Sequence, residues 1–534
     1  MRVPSNQLIR LEEINLGLDE DEIILKAKIA VILDLPETDI INYKIIKKNI
    51  DSRQKKIFFV YSVDVEVANS IKIKKWDKRH RVRLHQPFVY LEKKFKKTKN
   101  KKIVIVGSGP CGLFAALLLA RNGWNPTVIE RGKEVDKRLQ DVNNFFQKNI
   151  FNPRSNIQFG EGGAGTFSDG KLYTLINDPR SQYIFDELIK AGAPAEIKTS
   201  GAPHIGTDKL SGVIKSIRQE IIKLGGNFRF DTHLSDVIIE KGKLSAIILN
   251  NEEKIEVDDL ILAIGHSARD TYQMLHDRQI KMQAKPFAIG LRIEHQAKMI
   301  NQSRYGQSYQ HPKLGAAKYK LVQHLANKRP VYTFCMCPGG YVMAAASEEG
   351  GVVVNGMSEY AHNGENSNSA LLVPVTPSDF GSEHPLAGIE FQRRWERAAY
   401  LAGGSNYYAP TQLLGDFLEN RASKIIQNVQ PSYRPGICLT NLNNCLPDYV
   451  IASLREALPL FDLKIKGFAD PGAILSGVET RSSAPLRLER DQFFQSNVIG
   501  LYPAGEGAGY AGGIVSSAID GLSVAEAIMA KYLK

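Results

Sequence analysis

Cysteine is scarce in this sequence. Only five cysteines occur among 534 residues: Cys111, Cys335, Cys337, Cys438 and Cys445. So few, and an odd number, cannot build the disulfide framework of a small secreted domain, and they fit a reducing compartment. No two pairs have the C-x-x-C spacing that is typical of structural zinc sites, so we predict no bound metal.

Long apolar runs are also missing. The run LFAALLLA at residues 113–120 is far shorter than the roughly 20 residues that a membrane-spanning helix needs. The first residues, MRVPSNQLIRLEEINLGLDEDE, carry charges where a signal peptide needs its apolar stretch. We therefore expect no membrane span, no export signal and a cytoplasmic location.

Acidic residues are nearly absent from residues 72–102. This segment holds 14 Lys and Arg against two acids, Asp77 and Glu92, and so accounts for the whole net charge of +12. Such a stretch can contact nucleic acid, an acidic partner or anionic lipid through non-specific electrostatics. The interpretation we favour is a solvated linker between two units, because runs of like charge repel and hydrate.

The distribution of apolar residues predicts four segments. Residues 7–15 read as a strand, the stretch after Asp19 as a helix, and residues 39–50 and 57–67 as a hairpin, which together make a βαββ module. We place this module and its basic linker at 1–97. The first part of a nucleotide-binding domain follows at 98–275, an inserted mixed α+β substrate domain at 276–464, and the second part of the nucleotide-binding domain at 465–534.

The sequence GSGPCG at 107–112 has the spacing of a dinucleotide-binding loop. It follows a short apolar strand at 103–106 and precedes the helical residues 113–121. Gly107 permits the tight turn, Gly109 lets the backbone approach a pyrophosphate, and Gly112 lets helix and strand pack closely. Glu130, at the end of the next strand, can accept hydrogen bonds from a ribose diol.

The C-terminal stretch decides between NAD and FAD. In VIGLYPAGEGAGYAGGIVSSAIDGLSVAEAI a strand ends at Gly505, an acid follows, and a glycine-rich turn starts a helix near Gly513. Many flavoproteins close their FAD site in this way, with the acid on the ribityl hydroxyls and the helix dipole at the flavin. Here the acid is Glu506, where the wider pattern has Asp. The segment Ala263-Ile264-Gly265 is similar to the Ala-Thr-Gly of that pattern.

The fold class that follows is α/β: a split Rossmann-type FAD-binding domain, an inserted α+β domain and the N-terminal βαββ module. No second G-x-G-x-x-G occurs between residues 270 and 500. A dedicated NAD(P) domain is therefore not expected, and NAD(P)H would bind as a transient co-substrate or not at all.

Several longer motifs carry a resemblance over essentially the full chain. They are NIQFGEGGAGTFSDGKL (156–172), HIGT (204–207), GHSARD (265–270), KPF (285–287), CMCPGG (335–340), ETR (479–481) and PAGEGAGYAGG (503–513). Together they resemble the bacterial family of uncharacterised FAD-dependent dehydrogenases. The resemblance implies a flavoprotein oxidoreductase, but that family has no settled substrate.

Three further patterns remain open. GTFSDGK at 165–171 matches most of a P-loop, but Leu172 has no hydroxyl for magnesium, so residues 162–171 read better as a loop against the pyrophosphate or the flavin ring. Cys335 and Cys337 are either a redox pair, on one face if they lie on a strand, or ordinary packing, which we favour. Two roles are open for the polar residues His204, His266, Arg269 and Lys285. They either orient loops or bind phosphate, which we favour, or they present charge or a proton near the ring.

The predicted function is hydride transfer between flavin and a small organic substrate, with no catalytic residue assigned. The alternatives are a nucleic-acid-associated flavoprotein that docks RNA through the N-terminal module and residues 72–102, and a non-catalytic flavin-binding scaffold. The predicted FAD contacts are Gly107, Ser108, Gly109, Pro110, Cys111, Gly112, Glu130, Arg131, Gly165, Thr166, Leu234, Gly265, Gly505, Glu506, Gly513 and Ile514.

Overall fold

The computed structural model describes residues 6–54, 56–72, 80–87, 90, 92, 95, 101–174 and 176–533. It has the predicted α/β class, with a parallel sheet built from two distant stretches of chain and antiparallel sheets before and between them. Within those ranges, no helix combines the length and the apolar character that crossing a bilayer requires.

The N-terminal module has the predicted βαββ order. Its elements are β1 (Asn6–Gly17), α1 (Leu25–Leu33), β2 (Ile40–Asp51) and β3 (Phe58–Ala68), followed by the two-residue β4 (Arg83–Leu84). The strands form an antiparallel sheet in the order β2-β3-β1-β4. Alternate β3 residues such as Val65 and Val67 are fully buried, because side chains alternate across a strand. They join the same apolar cluster as Ile289 in the large central sheet.

Part of the basic segment is built into this module. Arg83–Leu84 pairs with β1, and the Arg83 guanidinium donates to Glu12 at 2.5 Å. Arg83 and Leu84, which we predicted within a solvated linker, therefore form an edge strand of this sheet. Lys101 pairs with Asp258 at 2.7 Å. The rest of the predicted linker, residues 73–79, 88–89, 91, 93–94 and 96–100, lies outside the described residues.

The first stretch of the dinucleotide-binding part alternates short strands with helices. Its elements are β5 (Ile103–Val106), α2 (Pro110–Arg121), β6 (Thr127–Ile129), α3 (Val135–Lys148), α4 (Arg180–Lys190), α5 (Thr207–Lys223), β7 (Asn227–Arg229), β8 (Leu234–Glu240), β9 (Lys243–Leu249), β10 (Glu253–Glu256), β11 (Asp259–Leu262) and α6 (Arg269–Asp277). Helix α2 begins three residues earlier than predicted, because Pro110 occupies its first turn, where a proline is favoured.

The middle of the chain is a mixed α+β region. Its elements are β12 (Met282–Ala284), β13 (Phe287–Gln296), α7 (Ala297–Tyr305), β14 (Val322–Gln323), β15 (Val331–Cys337), β16 (Tyr341–Ala344), β17 (Val354–Met357), β18 (Asn366–Val375), α8 (Ala387–Ala402), β19 (Ala409–Leu413), α9 (Leu414–Leu418), β20 (Ile437–Leu439) and α10 (Asp448–Asp462). The C-terminal elements are β21 (Ile474–Glu479), β22 (Leu486–Leu488), β23 (Leu501–Pro503) and α11 (Ile514–Lys531).

Two sheets organise these elements. The parallel sheet has the order β23-β11-β5-β6-β7, so its first strand comes from the far end of the chain. The seven-stranded sheet has the order β14-β15-β18-β13-β21-β19-β20. Strand β21 lies in the segment 465–534 that we assigned to the FAD-binding domain, yet it pairs with β13. We therefore propose moving that domain boundary from 464 to a position after β21.

Helices α2 and α11 close the split domain. Every residue of α2 from Cys111 to Ala120 is buried, and residues of both helices join one apolar cluster. Gly521 of α11 lies against the α2 backbone so closely that a Cβ there would stand 2.1 Å from the Cys111 carbonyl oxygen. The contact requires glycine, because any other residue would force the two helices apart.

We expect Gly521→Ala to lower the melting temperature by several degrees. Overpacking of this kind costs roughly 1–3 kcal/mol, and each kcal/mol shifts the melting temperature by roughly 2–4 °C in a domain of this size. The matched control is Gly212→Ala, at an exposed position of α5 where a Cβ meets nothing within 4 Å. It should be neutral or stabilising by about 0.5–1 kcal/mol, because alanine favours helix. Equal thermal shifts for the two variants would contradict the close helix contact.

Candidate functional site

One cavity lies where the two halves of the parallel sheet meet the seven-stranded sheet. Gly107 and Glu130 follow β5 and β6 into its wall, and Ala263 and Ala504 follow β11 and β23. The opposite side includes Cys335 of β15, together with Glu479 of β21 and its neighbour Arg481. Ligands of open α/β sheets bind outside the carboxyl ends of the strands, and the cavity occupies that position.

The glycine loop at 107–112 is shaped by close backbone contacts. Gly107 has φ +101°, and a Cβ there would stand 2.3 Å from the Ala263 carbonyl oxygen. A Cβ at Gly112 would stand 1.9 Å from the Gly107 carbonyl oxygen. Gly109 differs from both, because its Cβ would meet only the Gly163 Cα at 3.8 Å. Two of these glycines therefore hold the turn, and the third leaves open space at the cavity wall.

Two helices begin at the cavity without a side-chain cap. Helix α2 starts after Gly109 and α11 starts after Gly513, and neither of these cap positions has a side-chain hydrogen bond. Both glycines line the cavity, as do the first helical residues Pro110 and Ile514. The free backbone N–H groups and the positive ends of both helix dipoles therefore face this space, an arrangement suited to anionic or electron-rich groups.

Glu130 lies in the wall and is engaged with backbone donors. One carboxylate oxygen accepts hydrogen bonds from the Ser108 amide and hydroxyl at 3.0 and 2.8 Å. The other accepts from the amides of Gly132 and Gly160, both at 3.0 Å. These four bonds use the whole acceptor capacity of a carboxylate. A ribose diol would have to replace some of them, so the role of Glu130 in ribose binding stays a prediction.

Glu506 differs from Glu130 in the hydrogen bonding of its carboxylate. It is half-buried in the wall, and its carboxylate makes no side-chain hydrogen bond within the described part of the chain. Burial raises the pKa of Glu506 to about 7, although the charge of Lys285 counteracts this. An acceptor left without donors at a cavity wall fits a ligand with hydroxyl groups, since burying an unpaired carboxylate is costly.

A buried arginine holds the loop at 156–167 against this space. Arg138 is fully buried, and its guanidinium donates to the carbonyl oxygens of Asn156 (2.8 Å), Ile157 (2.9 Å), Glu161 (2.7 Å) and Gly163 (2.9 Å). Burial lowers the pKa of Arg138 to about 10, so the group remains charged near neutral pH. These bonds place the glycine-rich backbone of the loop at the cavity. The contact of residues 162–171 with a pyrophosphate or a flavin ring stays a prediction.

FAD places specific requirements on its binding site. A dinucleotide needs backbone N–H groups for its pyrophosphate, oxygen acceptors for its sugar hydroxyls and close backbone approach. The uncapped helix starts, the open space at Gly109 and the unpaired Glu506 carboxylate meet these needs. The residues present therefore fit FAD.

The structure brings most of the predicted contact residues to the cavity. Those that line it are Gly107, Gly109, Pro110, Cys111, Glu130, Arg131, Gly165, Leu234, Gly265, Glu506, Gly513 and Ile514. Four others lie behind the wall: Ser108, Gly112, Thr166 and Gly505. Ser108 binds Glu130, and a Cβ at Gly505 would meet the Cys111 side chain at 2.9 Å, so both support the wall from behind.

The four polar residues whose roles the sequence left open lie at different places relative to the cavity. His266 lines the cavity, and burial together with Arg481 and Arg269 lowers its pKa to about 3, so it is neutral near neutral pH. Arg269 is buried in an ion pair with Glu396 at 2.7 Å. Lys285 lies outside the lining and donates to the Ser483 hydroxyl at 3.2 Å. His204 also lies outside it and stacks on His362.

Sequence reasoning missed several wall residues. Asp169 and Lys171 were predicted only as parts of a backbone loop, and Glu479 and Arg481 only as parts of a family motif. Others missed are Gln158, Phe159, Thr232, Phe334, Asn355, Ser482 and Ser517. No local pattern marks Phe334, Asn355 or Ser482, because they reach this wall only when the mixed region packs on the parallel sheet. The available signals were two motifs: NIQFGEGGAGTFSDGKL contains Gln158, Phe159, Asp169 and Lys171, and ETR contains Glu479 and Arg481.

Family models match three parts of the chain. A model described as an FAD binding domain matches residues 100–140, and one described as a C-terminal domain-like part of an FAD-dependent protein matches residues 286–482. A domain of unknown function matches residues 8–66. These matches support FAD as the cofactor.

A full-length relative decides the family. An uncharacterized protein of Clostridium beijerinckii is 50% identical, over 98% of this chain and 99% of its own length. The chain belongs to the bacterial family of uncharacterised FAD-dependent dehydrogenases. The family membership predicted from the motifs is thus confirmed, and the match extends through the N-terminal module as well as the FAD-binding part.

The chain also has more distant similarities to two other proteins. A digeranylgeranylglycerophospholipid reductase of Haloferax volcanii is 27% identical over 32% of this chain and 37% of its own length. A glycine oxidase of Bacillus cereus has 12% identity and a TM-score of 0.30, with 81% of this chain and 95% of that one covered. A TM-score this low carries no argument about activity.

We expect Gly109→Ala to weaken FAD binding without unfolding the protein. Its backbone, at φ −73°, suits alanine, but the added methyl group would occupy the open space against which a pyrophosphate would pack. FAD affinity, measured by titration of flavin fluorescence, should fall about tenfold or more, equivalent to about 1.4 kcal/mol. Gly315→Ala, in open space away from the cavity, should bind FAD normally. Undiminished binding by Gly109→Ala would contradict a phosphate site at this loop.

Proposed function

We propose that this chain is an FAD-dependent oxidoreductase that transfers hydride between flavin and a small organic substrate in the cavity. The observation that carries the proposal is the convergence of two uncapped helix starts and the unpaired Glu506 carboxylate at one wall. When bound, FAD supplies the electron chemistry, and the protein supplies binding, orientation and electrostatics.

Different residues of the chain would bind the separate parts of FAD and the substrate. Gly109 and the start of α2 would hold the phosphates, and Glu506 would accept hydrogen bonds from ribityl hydroxyls. The start of α11 would stabilise negative charge on the ring. The side of the cavity formed by Cys335, Glu479 and Asn355 would receive the substrate, since these residues come from the seven-stranded sheet and the neighbouring β16–β17 pair and not from the dinucleotide-binding part.

Glu479 is suited to hold or release a proton in this region. It is buried, and its carboxylate pairs with the Arg292 guanidinium at 2.6 Å. Burial raises the pKa of Glu479 to about 7, although Arg292 counteracts this. A carboxyl group with a pKa near the working pH is a candidate general acid or base.

The nucleic-acid alternative gains no specific support from the described residues. Arg81 and Arg83 pair with Glu12, and Lys102 pairs with Glu256, so these basic groups have carboxylate partners. Lys101 pairs with Asp258, Lys72 is exposed, and the other basic residues of the segment lie outside the described part of the chain. RNA docking stays a prediction.

The deciding experiment is the visible spectrum of the purified protein under anaerobic conditions, before and after addition of NADH or NADPH. We expect a flavin spectrum, and loss of its colour with a reductant, because a redox enzyme must cycle its flavin. Bound FAD that neither nicotinamide nor any organic substrate reduces would favour the non-catalytic scaffold. Protein that is folded, colourless and unable to take up added FAD would refute the proposal.

We expect FAD affinity to rise as the pH increases from about 6 to about 8. The Glu506 carboxyl, with its pKa of about 7, is protonated at the lower pH and ionised at the higher one. An ionised carboxylate accepts stronger hydrogen bonds, so binding should improve roughly threefold to tenfold. The groups near Glu506 that also titrate or carry charge are Lys285 and Tyr272.

Two glutamate variants identify the group responsible. In Glu506→Gln the affinity should become independent of pH in this range, whereas Glu479→Gln should keep the dependence of the unchanged protein. Glu479 is the matched control, because it lines the same cavity and burial raises its pKa to the same value. A pH dependence lost in Glu479→Gln and kept in Glu506→Gln would show that the assignment is wrong.

A further inference from the structure

Two cysteines lie at a break in strand β15. In a regular strand, Cβ atoms two residues apart are separated by about 6.6 Å, which exceeds the roughly 4.5 Å that a disulfide tolerates. The backbone at Cys335 is left-handed, with φ +44°, and the pairing with β18 shifts register between Phe334 and Cys337. This bulge brings the Cys337 thiol within 3.2 Å of the Cys335 carbonyl oxygen. The chain therefore departs locally from the extended geometry that would keep the sulfurs apart.

Positive charge is concentrated around the two sulfurs. The Lys171 ammonium lies 3.8 Å from the Cys335 Sγ and 3.7 Å from the Cys337 Sγ. The Arg292 guanidinium lies 3.7 Å from the Cys337 Sγ and donates to the Cys335 carbonyl oxygen at 2.7 Å. Cations at this distance stabilise a thiolate over a thiol.

Two carboxyl groups complete this cluster. Asp169 lies 3.2 Å from the Lys171 ammonium, and its other oxygen binds His362 Nε2 at 2.7 Å. Glu479 pairs with Arg292, but its pKa of about 7 leaves it partly protonated near neutral pH. A negative charge on one sulfur would therefore balance the second cation.

The two thiols are unequal. A hydrogen bond from the Cys337 thiol, together with Lys171 and Arg292, lowers the pKa of Cys335 well below its usual range. The same hydrogen bond, together with burial, raises the pKa of Cys337. Cys335 lines the cavity and is partly exposed, whereas Cys337 is fully buried beside it. Cys335 is therefore both accessible from the cavity and the more readily ionised of the two thiols. The protonated thiol beside it is that of Cys337.

Other buried cysteines lack this combination. Burial raises the pKa of Cys111 and raises that of Cys445 to about 12. Neither has a lysine or arginine within bonding distance of its sulfur among the described residues. They behave as small apolar side chains, which is the ordinary role of buried cysteine.

We propose that Cys335 and Cys337 form a dithiol–disulfide redox couple facing the cavity, with Cys335 as the attacking thiolate. The reaction partner is a small organic disulfide. This activity goes beyond the proposed flavin chemistry, because thiol–disulfide exchange needs no bound cofactor.

The exchange takes two steps. The Cys335 thiolate attacks one sulfur of the organic disulfide, so that a mixed disulfide forms and one organic thiolate leaves. The Cys337 thiol passes its proton to that thiolate and attacks the Cys335 sulfur, forming the Cys335–Cys337 bond and expelling the second organic thiolate. Two protein sulfurs lose two electrons in total, and the organic disulfide gains them as one thiol and one thiolate.

The first test measures thiolate character at each cysteine. The protein is treated with limiting iodoacetamide at about pH 6, and alkylation is located by peptide mass spectrometry. Cys335 should react first, because only thiolates are alkylated quickly. Lys171→Met should slow this reaction about tenfold, and the matched control Lys318→Met, whose ammonium donates instead to the Ala202 carbonyl oxygen, should change it little. Faster modification of Cys111, Cys438 or Cys445 would overturn the assignment of Cys335.

The second test follows the disulfide itself. After incubation with glutathione disulfide, the unchanged protein should lose two hydrogens from the peptide that contains both cysteines. Cys337→Ser should instead accumulate a glutathione adduct at Cys335, because the resolving thiol is missing, and Cys335→Ser should form neither product. If the unchanged protein keeps both thiols free in excess glutathione disulfide, the proposal is wrong.

These outcomes are separable from the flavin proposal. The thiol measurements on the unchanged protein require no variant to fold, and the flavin spectrum is recorded on the same sample. A disulfide that forms in folded, colourless protein that takes up no added FAD would support the couple and refute the flavin proposal. A yellow protein with permanently free Cys335 and Cys337 would do the reverse.

Discussion

The close contact between α2 and α11 is the constraint on which the site depends. These helices come from opposite ends of the dinucleotide-binding part, and Gly521 allows their backbones to meet. Because both helices begin at the cavity, their packing also sets the position of two uncapped N-termini relative to each other. Pairing of β23 with β11 adds Glu506 to the same wall. A single packing arrangement therefore assembles a site from distant segments.

Buried charges connect this frame to the rest of the molecule. Glu396 of α8 binds Arg269 at 2.7 Å and Arg481 at 2.8 Å, and all three side chains are buried. This group ties the mixed region to the dinucleotide-binding part, next to the cavity. Arg138 acts similarly on a smaller scale, by satisfying four backbone carbonyls of one loop. Removing one member of such a network leaves uncompensated buried polar groups, which is strongly destabilising.

Several side chains of the cavity wall have pKa values that differ from those of the same groups in water. Burial raises the pKa values of Glu479 and Glu506 to about 7, and neighbouring cations and a thiol lower that of Cys335. Glu506 belongs to the dinucleotide-binding part, whereas Glu479 and Cys335 lie on strands of the seven-stranded sheet. A site with unequal thiols on one side and an unpaired carboxylate on the other is suited to electron and proton transfer.

Local sequence was sufficient for the fold class and for much of the cofactor wall. The G-x-G-x-x-G spacing after a buried strand predicted the turn at Gly107, because only glycine tolerates that geometry so close to Ala263. The glycine-rich stretch before the last helix likewise predicted Glu506 and Gly513. Cys335 and Cys337, in contrast, read as a regular strand pair with packing as the favoured role. The bulge at Cys335, which brings the Cys337 thiol to the Cys335 carbonyl oxygen, could not be predicted from three residues.

What the sequence by itself determined is therefore the set of elements whose chemistry is local: glycine turns, helix starts and the order of strands. Only the tertiary structure decided which side chains share the cavity with them. Lys171, Arg292 and Cys335 come from separate parts of the chain, and the pKa of Cys335 depends on burial and on the charges of the other two. Such effects arise from distances in space, which a linear pattern does not encode.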